Sequence, residues 1–176
     1  MRYNWIISRV HGHSLVAVIA GAVFLILSLA GVAAQPAHAV LAGTELSGAR
    51  FDIAQWRGKV VVVNFWARWC TPCRAEMPML SAFARQHRAQ GVRLIGISED
   101  RVEVMAKVKE IAVSLGYPNA MLAQLSANSF GHPHLLPITY VVGPSGQMRA
   151  VLRPTDKALT AAALWQVVSP LLGEAK

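Results

Sequence analysis

Apolar and polar positions along the chain predict alternating strands and helices after a long uncharged segment. Residues 59–67, KVVVVNFWA, form a nearly continuous run of β-branched and aromatic residues, which is typical of a central strand buried on both faces of a parallel sheet. A similar run covers residues 92–98. Between the two runs, apolar residues recur at spacings of three and four from Met77 to Ala84, which predicts a helix. We expect His87 on the exposed face of this helix.

The second half of the chain continues this alternation less regularly. We expect a helix over 102–115, then an irregular stretch with a short strand and a helical turn, and then an antiparallel hairpin. This order implies an α/β fold with a central mixed sheet flanked by helices. The remaining predicted elements are a short strand within 50–59, hairpin strands over 138–142 and 147–152, and a last helix over 159–171 capped by Thr155 or Asp156.

The uncharged segment covers residues 15–34 and is long enough to cross a bilayer as a helix. Arg2 and Arg9 precede it, which predicts that the N-terminus stays in the cytoplasm and that the rest of the chain is exported. The segment is an anchor or a signal peptide cleaved after Ala39; a buried core helix is the third alternative. We therefore divide the chain into an N-terminal segment, 1–39, and a domain, 40–176.

Composition and charge narrow the classes of partner. The chain has 176 residues and a formal net charge of +8, and 54% of its residues are hydrophobic. The basic residues are scattered, without the dense patch of a nucleic-acid-binding protein, so we expect no nucleic acid. A basic surface of this kind favours acidic partners or anionic lipid instead.

The chain contains two cysteines, Cys70 and Cys73, separated by Thr71 and Pro72. A structural zinc site needs about four ligands, and no second cysteine pair is present. Covalent haem attachment needs a histidine directly after the second cysteine, but Arg74 stands there. A purely structural disulfide remains open, although a loop this short removes little entropy from the unfolded chain.

A redox dithiol accounts for more of the context. Cys70 follows a predicted strand and opens a predicted helix, where backbone N–H groups and the helix dipole favour a thiolate. Arg68 and Arg74 add positive potential. Cys73 lies one turn further along, within reach of a mixed disulfide formed at Cys70. One sulfur would then attack a substrate disulfide, and the other would resolve the intermediate.

The segment VVVNFWARWCTPCRAEMP, residues 61–78, resembles the active-site segment of thioredoxin-fold proteins. It is most similar to the membrane-anchored, periplasm-facing TlpA, ResA and DsbE group of disulfide reductases, and the resemblance covers about residues 44–172. It implies a thioredoxin-like fold in which Asn64 replaces a buried aspartate, Glu76 acts near the thiols, and Pro78 lies within the active-site helix. It also implies that Pro137 is a cis-proline facing the cysteines.

The resemblance implies a thiol–disulfide oxidoreductase that reduces exported proteins, of the type used in cytochrome c or copper-protein maturation. The expected partners are protein disulfides and a membrane thiol reductase that donates electrons; we expect a monomer with no cofactor and no bound metal. Whether the protein reduces or oxidises its substrates stays open, since a disulfide oxidase of the same fold would carry the same motif. A docking or copper-binding module is the alternative outside redox enzymology.

The substrate groove is expected beside the cysteines. We assign to it the residues that flank the thiols and the predicted cis-proline, although Leu136 and Ile138 are bulkier than the family's usual residues. His132 and His134 are a candidate copper pair or, more simply, part of a polar loop. The assigned groove residues are Trp69, Thr71, Pro72, Leu136 and Ile138.

Overall fold

The structure, a computed structural model, describes residues 38–153 and 158–175. The apolar segment 15–34 lies outside these residues. Among the helices that are described, none combines the length and the apolar character needed to cross a membrane.

Seven strands of the described residues form one mixed sheet, in the order β2-β1-β5-β4-β3-β6-β7. Strands β3, β4 and β5 run parallel, and the pairs β1–β2, β1–β5, β3–β6 and β6–β7 are antiparallel. The strands are β1 (Leu41–Glu45), β2 (Arg50–Asp52), β3 (Val60–Trp66), β4 (Val92–Ser98), β5 (Asn119–Asn128), β6 (Ile138–Val142) and β7 (Met148–Leu152).

Within the described residues, three α-helices and three 3₁₀ turns accompany the sheet; four of these six elements lie between strands, and two follow β7. The predicted helix after β3 is confirmed, with Pro72 in its first turn, where a missing N–H costs little, and Pro78 in its interior. The helices are α1 (Thr71–His87), α2 (Met105–Ala112) and α3 (Ala161–Val168), and the 3₁₀ turns are Ile53–Trp56, Val102–Val104 and Ser169–Ala175.

Strand β3 lies in the interior of the sheet, between β4 and β6, and every one of its residues is buried. Its side chains alternate between two apolar clusters because successive residues of a strand point to opposite faces. Val62 and Trp66 pack with helices α1 and α3, whereas Val63 and Phe65 pack on the other face with β1 and Phe130. The prediction of a central strand buried on both faces is therefore confirmed.

The irregular stretch before β6 was predicted wrongly. Residues 119–128 form one ten-residue strand, β5, in place of a short strand followed by a helical turn. Its first three residues pair in parallel with Gly96–Ser98, and its other edge pairs with β1 from Ala120 to Asn128. Because only the first part of β5 lies in the core, its sequence lacks the continuous apolar run of β3.

Two predictions about the helical layer also need correction. Helix α3 begins at Ala161, and Thr160 is its N-cap, accepting a hydrogen bond from the N–H of Ala163. Thr155 and Asp156, the predicted caps, lie outside the described residues. His87 was predicted on the exposed face of its helix but is buried, because its ring stacks on Trp165 with the centroids 4.1 Å apart.

A buried hydrogen bond joins β3 to the start of β5 across β4. The indole Nε1 of Trp66 donates to Asn119 Oδ1 over 3.1 Å, and Asn119 Nδ2 donates to the carbonyl of Tyr117. This bridge passes directly over Gly96, where a Cβ atom would overlap the Asn119 carboxamide and lie 3.0 Å from Trp66 Nε1. Gly96 therefore leaves the room that the bridge needs.

We predict that Gly96→Ala destabilises the domain by about 2 to 4 kcal/mol, because the added methyl displaces Asn119 and leaves the indole N–H without its acceptor. Urea unfolding with the disulfide intact measures the change in the free energy of unfolding. Gly173→Ala is the matched control, since a Cβ atom there meets nothing within 4 Å. Equal midpoints for the two variants would contradict the predicted role of Gly96.

Candidate active site

The two cysteines lie where β3 ends and α1 begins. They form a disulfide, and both are almost fully buried, with 4% of Cys70 and 2% of Cys73 exposed. Cys70 is the N-cap of α1, and its Sγ accepts a hydrogen bond from the N–H of Cys73 over 3.2 Å. The N-terminus of this 17-residue helix therefore faces Cys70, as the sequence predicts.

This position favours a negative sulfur at Cys70 once the disulfide is reduced. Unpaired N–H groups and the helix dipole stabilise an anion at a helix N-terminus by about 0.3 to 1 kcal/mol, and more when the site is buried. Thr71 and Pro72 lie exposed beside the disulfide, and Trp69 is exposed to 65%. An exposed indole next to the disulfide offers apolar surface to another protein.

The loop before Cys70 is fixed by groups that follow β4, and sequence reasoning missed them. Buried Asp100 accepts hydrogen bonds from the N–H of Arg68 and from the hydroxyl of Ser98. The N–H of Glu99 donates to the carbonyl of Trp66. The sequence did carry a signal for these groups, because they are polar residues at the end of a predicted strand. The carboxyl ends of neighbouring parallel strands meet at the same edge of a sheet.

Glu76 is buried, with 6% exposed, so it is not a solvated surface glutamate. Its Oε1 accepts a hydrogen bond from the N–H of Leu159 over 2.9 Å. Burial raises the pKa of Glu76 above its ordinary value of 4.5, and the hydrogen bond from Leu159 opposes part of this rise. The carboxyl group therefore holds a proton to higher pH than an exposed glutamate does.

Pro137 and Glu76 line the same cavity, which has a volume of about 520 Å³. The Leu136–Pro137 peptide bond is cis, as predicted. Thr139 lines the cavity as well, and its hydroxyl accepts a hydrogen bond from Asn64 Nδ2 over 3.0 Å. The structure thus brings together the glutamate and the proline that sequence reasoning selected.

The two bulky residues beside Pro137 are placed differently. Leu136 is half-buried and packs against both apolar clusters, whereas Ile138 begins β6 and is buried in the cluster around Phe65. Most of the exposed apolar surface on this loop belongs to Leu135. Sequence reasoning did not select Leu135, which precedes the proline by two positions.

Residues 34–151, more than half of the chain, match the AhpC/TSA family. The chain belongs to this family. The thioredoxin-like architecture predicted from the active-site segment is thereby confirmed, as is the likeness to ResA and DsbE proteins described next.

Curated relatives of this family member include two proteins named thiol-disulfide oxidoreductase ResA. The one from Oceanobacillus iheyensis is 26% identical over 111 residues, covering 62% of this chain and 57% of that protein. The one from Geobacillus kaustophilus is 27% identical over 115 residues, covering 64% of each. The match thus spans less than two thirds of the length of these curated relatives.

Solved structures give the same likeness over a larger share of the chain. A thiol:disulfide interchange protein of the thioredoxin family from Chlorobium tepidum aligns with a TM-score of 0.64 and 25% identity, over 80% of this chain and 99% of that one. A secreted disulfide oxidoreductase from Mycobacterium tuberculosis, homologous to DsbE, aligns with a TM-score of 0.59 and 26% identity, over 74% and 95% of the two chains.

The two histidines singled out from the sequence of this family member lie near Glu99. His132 Nε2 is 3.3 Å from Glu99 Oε2, and the rings of His132 and His134 have centroids 6.3 Å apart. Burial raises the pKa of Glu99, and the two histidines partly offset that rise. Within residues 38–153 and 158–175, no group of three or more His, Cys, Asp or Glu side chains is arranged to hold a metal ion.

We predict that the free energy of unfolding of Glu76→Gln increases relative to that of the wild type as the pH rises. The raised pKa means that the folded protein binds this proton more tightly than the unfolded chain does, so Glu76 makes the wild type lose stability as the pH rises from about 4.5 through its folded pKa. Glutamine keeps an acceptor for the N–H of Leu159 but does not titrate.

Urea unfolding of the oxidised protein at several values between about pH 4 and about pH 8 measures this difference. The matched control is Glu110→Gln, which removes an exposed glutamate from α2. A difference in unfolding free energy between Glu76→Gln and the wild type that stays constant across the range would contradict the prediction.

Proposed function

We propose that this chain is a thiol:disulfide oxidoreductase that reduces disulfides in exported proteins. The observation that carries the proposal is the disulfide between Cys70, at the N-terminus of α1, and Cys73, one turn further along. A helix N-terminus stabilises the thiolate of Cys70 more than that of Cys73, so the two sulfurs are not equivalent. The ResA and DsbE names of its relatives support the same activity.

The reaction proceeds through a mixed disulfide. In the reduced protein, the Cys70 thiolate attacks one sulfur of a substrate disulfide; a sulfur–sulfur bond forms, the substrate bond breaks, and the released substrate thiolate takes up a proton. Cys73 then loses its proton and attacks Cys70 Sγ, which releases the second substrate thiolate. Two electrons pass to the substrate, and the protein is left with the Cys70–Cys73 disulfide seen in the structure.

Glu76 is the proposed acceptor for the proton that Cys73 loses. Its position three residues after Cys73 in α1 places the two on the same side of the helix. Burial keeps its carboxyl group away from bulk water and raises its pKa toward the pH at which a thiol must be deprotonated. Asn64, the buried polar residue on β3, has no titratable proton and cannot take this role.

The substrate contacts the exposed surface around the disulfide. Trp69, Thr71 and Pro72 form one exposed side of the proposed groove. Half-buried Leu136 forms the other side, whereas Pro137 and Ile138 are buried and contribute little surface. The chemistry needs neither a metal nor an organic cofactor because the electrons travel as thiols. Regeneration requires a dithiol donor, for which we propose a membrane thiol reductase.

Residues 1–39 are proposed to carry the domain, 40–176, to the outer face of the cytoplasmic membrane. The support is the uncharged run 15–34 preceded by Arg2 and Arg9. The domain either stays anchored there or is released into the periplasm by cleavage after Ala39. We propose that it acts as a monomer and that its substrates are proteins of the cytochrome c or copper-protein maturation type.

We predict that Cys73→Ser accumulates covalent complexes with substrate proteins, because the mixed disulfide at Cys70 then has no internal resolving thiol. Complexes that reductant dissociates should appear on non-reducing gels of a periplasmic extract. The matched variant is Cys70→Ser, which should trap nothing. Equal trapping by the two variants would refute the assignment of roles.

We predict that Glu76→Gln slows the resolution of a preformed mixed disulfide by about a hundredfold, the lower range for loss of a general base. The assay follows release of a thiol-containing peptide from Cys70 by rapid quenching. Glu110→Gln again serves as the control. If both variants release the peptide at the wild-type rate, Glu76 has no part in the proton transfer.

A further inference from the structure

The end of the domain opposite the disulfide is where β3 and β4 begin. The N–H of Val60 donates to the carbonyl of Gly91, and the N–H of Gly58 donates to the carbonyl of Pro144 in the turn between β6 and β7. Strand β3 has seven residues, so this end lies about 20 Å from the end at which Cys70 follows β3.

Five basic residues lie together here, and we call them the basic end: Arg57, Lys59, Arg85, Arg88 and Arg93. The Arg57 guanidinium lies directly against Gly146, and the Lys59 side chain passes 3.6 Å from where a Cβ on Gly91 would be. Arg93 donates to the carbonyl of Arg88 over 3.1 Å. Arg85, Arg88 and Arg93 line one cavity of about 210 Å³.

Acidic side chains do not neutralise the basic end within the part of the chain that the structure describes. The ion pairs among the described residues involve Arg68, Arg101, Arg149 and His132, and none includes a residue of the basic end. The carboxylate of Glu174 pairs with Arg149, which packs against Gly143 in the turn between β6 and β7. The surface therefore keeps a positive potential that attracts anions.

The chain also enters the domain at this end. His38 pairs with Gln147, and the N–H of Ala39 donates to the carbonyl of Gly146 over 2.8 Å. The apolar run 15–34 ends only four residues before His38 in the sequence. The short separation limits how far this end of the domain could move from a bilayer that held the run.

An aromatic side chain completes the surface. Trp56 is half-buried and lines the same cavity as Arg85, Arg88 and Arg93. Indole rings and long basic side chains are the groups that proteins place at the interface between lipid and water, because each has an apolar body and a polar tip. The composition of this end thus suits a phospholipid headgroup layer.

We propose that the basic end docks on an anionic phospholipid surface and turns Cys70 away from the membrane. This inference rests on the proposed anchoring of the chain by residues 15–34. Docking would restrict the tethered domain to orientations in which Trp69 and the disulfide face the aqueous phase, where folded substrates are found. Each basic residue near an anionic surface strengthens such binding by about fivefold.

The test uses the full chain reconstituted in nanodiscs of phosphatidylcholine with increasing fractions of phosphatidylglycerol. Hydrogen–deuterium exchange is followed in peptides covering 56–59, 88–93 and 143–147, and in peptides around Cys70. We expect exchange in the first three to slow as the anionic fraction rises. The triple variant Arg57→Gln, Lys59→Gln, Arg88→Gln should weaken this docking by about a hundredfold.

The matched control removes three exposed basic residues elsewhere: Arg101→Gln, Lys107→Gln, Lys109→Gln. Exchange in the three peptides of this control variant should slow on anionic discs as much as it does in the wild type. Equal exchange in neutral and anionic discs, protection that survives in the triple variant, or protection around Cys70 instead would overturn the proposal. If the chain does not copurify with the discs, both the anchor and this inference are refuted. If the protein fails to reduce disulfides but shows the expected exchange pattern, the proposed activity is refuted and this inference stands.

Discussion

The active site depends on how the carboxyl end of β3 is held. The last residue of the strand, Trp66, is bound from two directions: its carbonyl accepts from the N–H of Glu99, and its indole donates to Asn119. The loop that follows is fixed by Asp100 through the N–H of Arg68. Since all three partners belong to neighbouring strands or their ends, the sheet itself sets the position of Cys70. A reactive sulfur held this way loses little freedom when a substrate disulfide approaches.

Two opposite electrostatic effects meet at the start of α1. The helix N-terminus favours a negative charge at Cys70, whereas the buried carboxyl of Glu76, two turns along, disfavours additional negative charge nearby when it is ionised. The raised pKa of Glu76 reduces this conflict, because a protonated glutamate carries no charge. The segment around Leu159 closes over this carboxyl and donates a hydrogen bond to it. Proton uptake at Glu76 is therefore connected to packing at the start of α3.

The sequence alone was sufficient to predict a strand or helix wherever the interactions that determine that element are local. The β-branched run of β3 and the spacing of Met77, Leu80 and Phe83 specify their elements without reference to the rest of the chain. The cis bond at Pro137 followed from the resemblance and not from the residue itself. His87 was misplaced because its burial depends on Trp165, nearly 80 positions away. The length of strand β5 was underestimated because its outer part pairs with β1 and gains no apolar signature from that pairing.

The partial pairing of β4 has a consequence for the solubility of the domain. Strand β5 pairs with β4 only over Gly96–Ser98, so the stretch from Val92 to Ile95 has no strand on its outer side within the described residues. An open strand edge of this kind is a template on which a second polypeptide can add itself. Here the edge carries Arg93, whose guanidinium donates to the carbonyl of Val92 on the strand and to that of Arg88 at the end of α1. A charged side chain that stays on an open strand edge and occupies an acceptor there disfavours strand-by-strand aggregation.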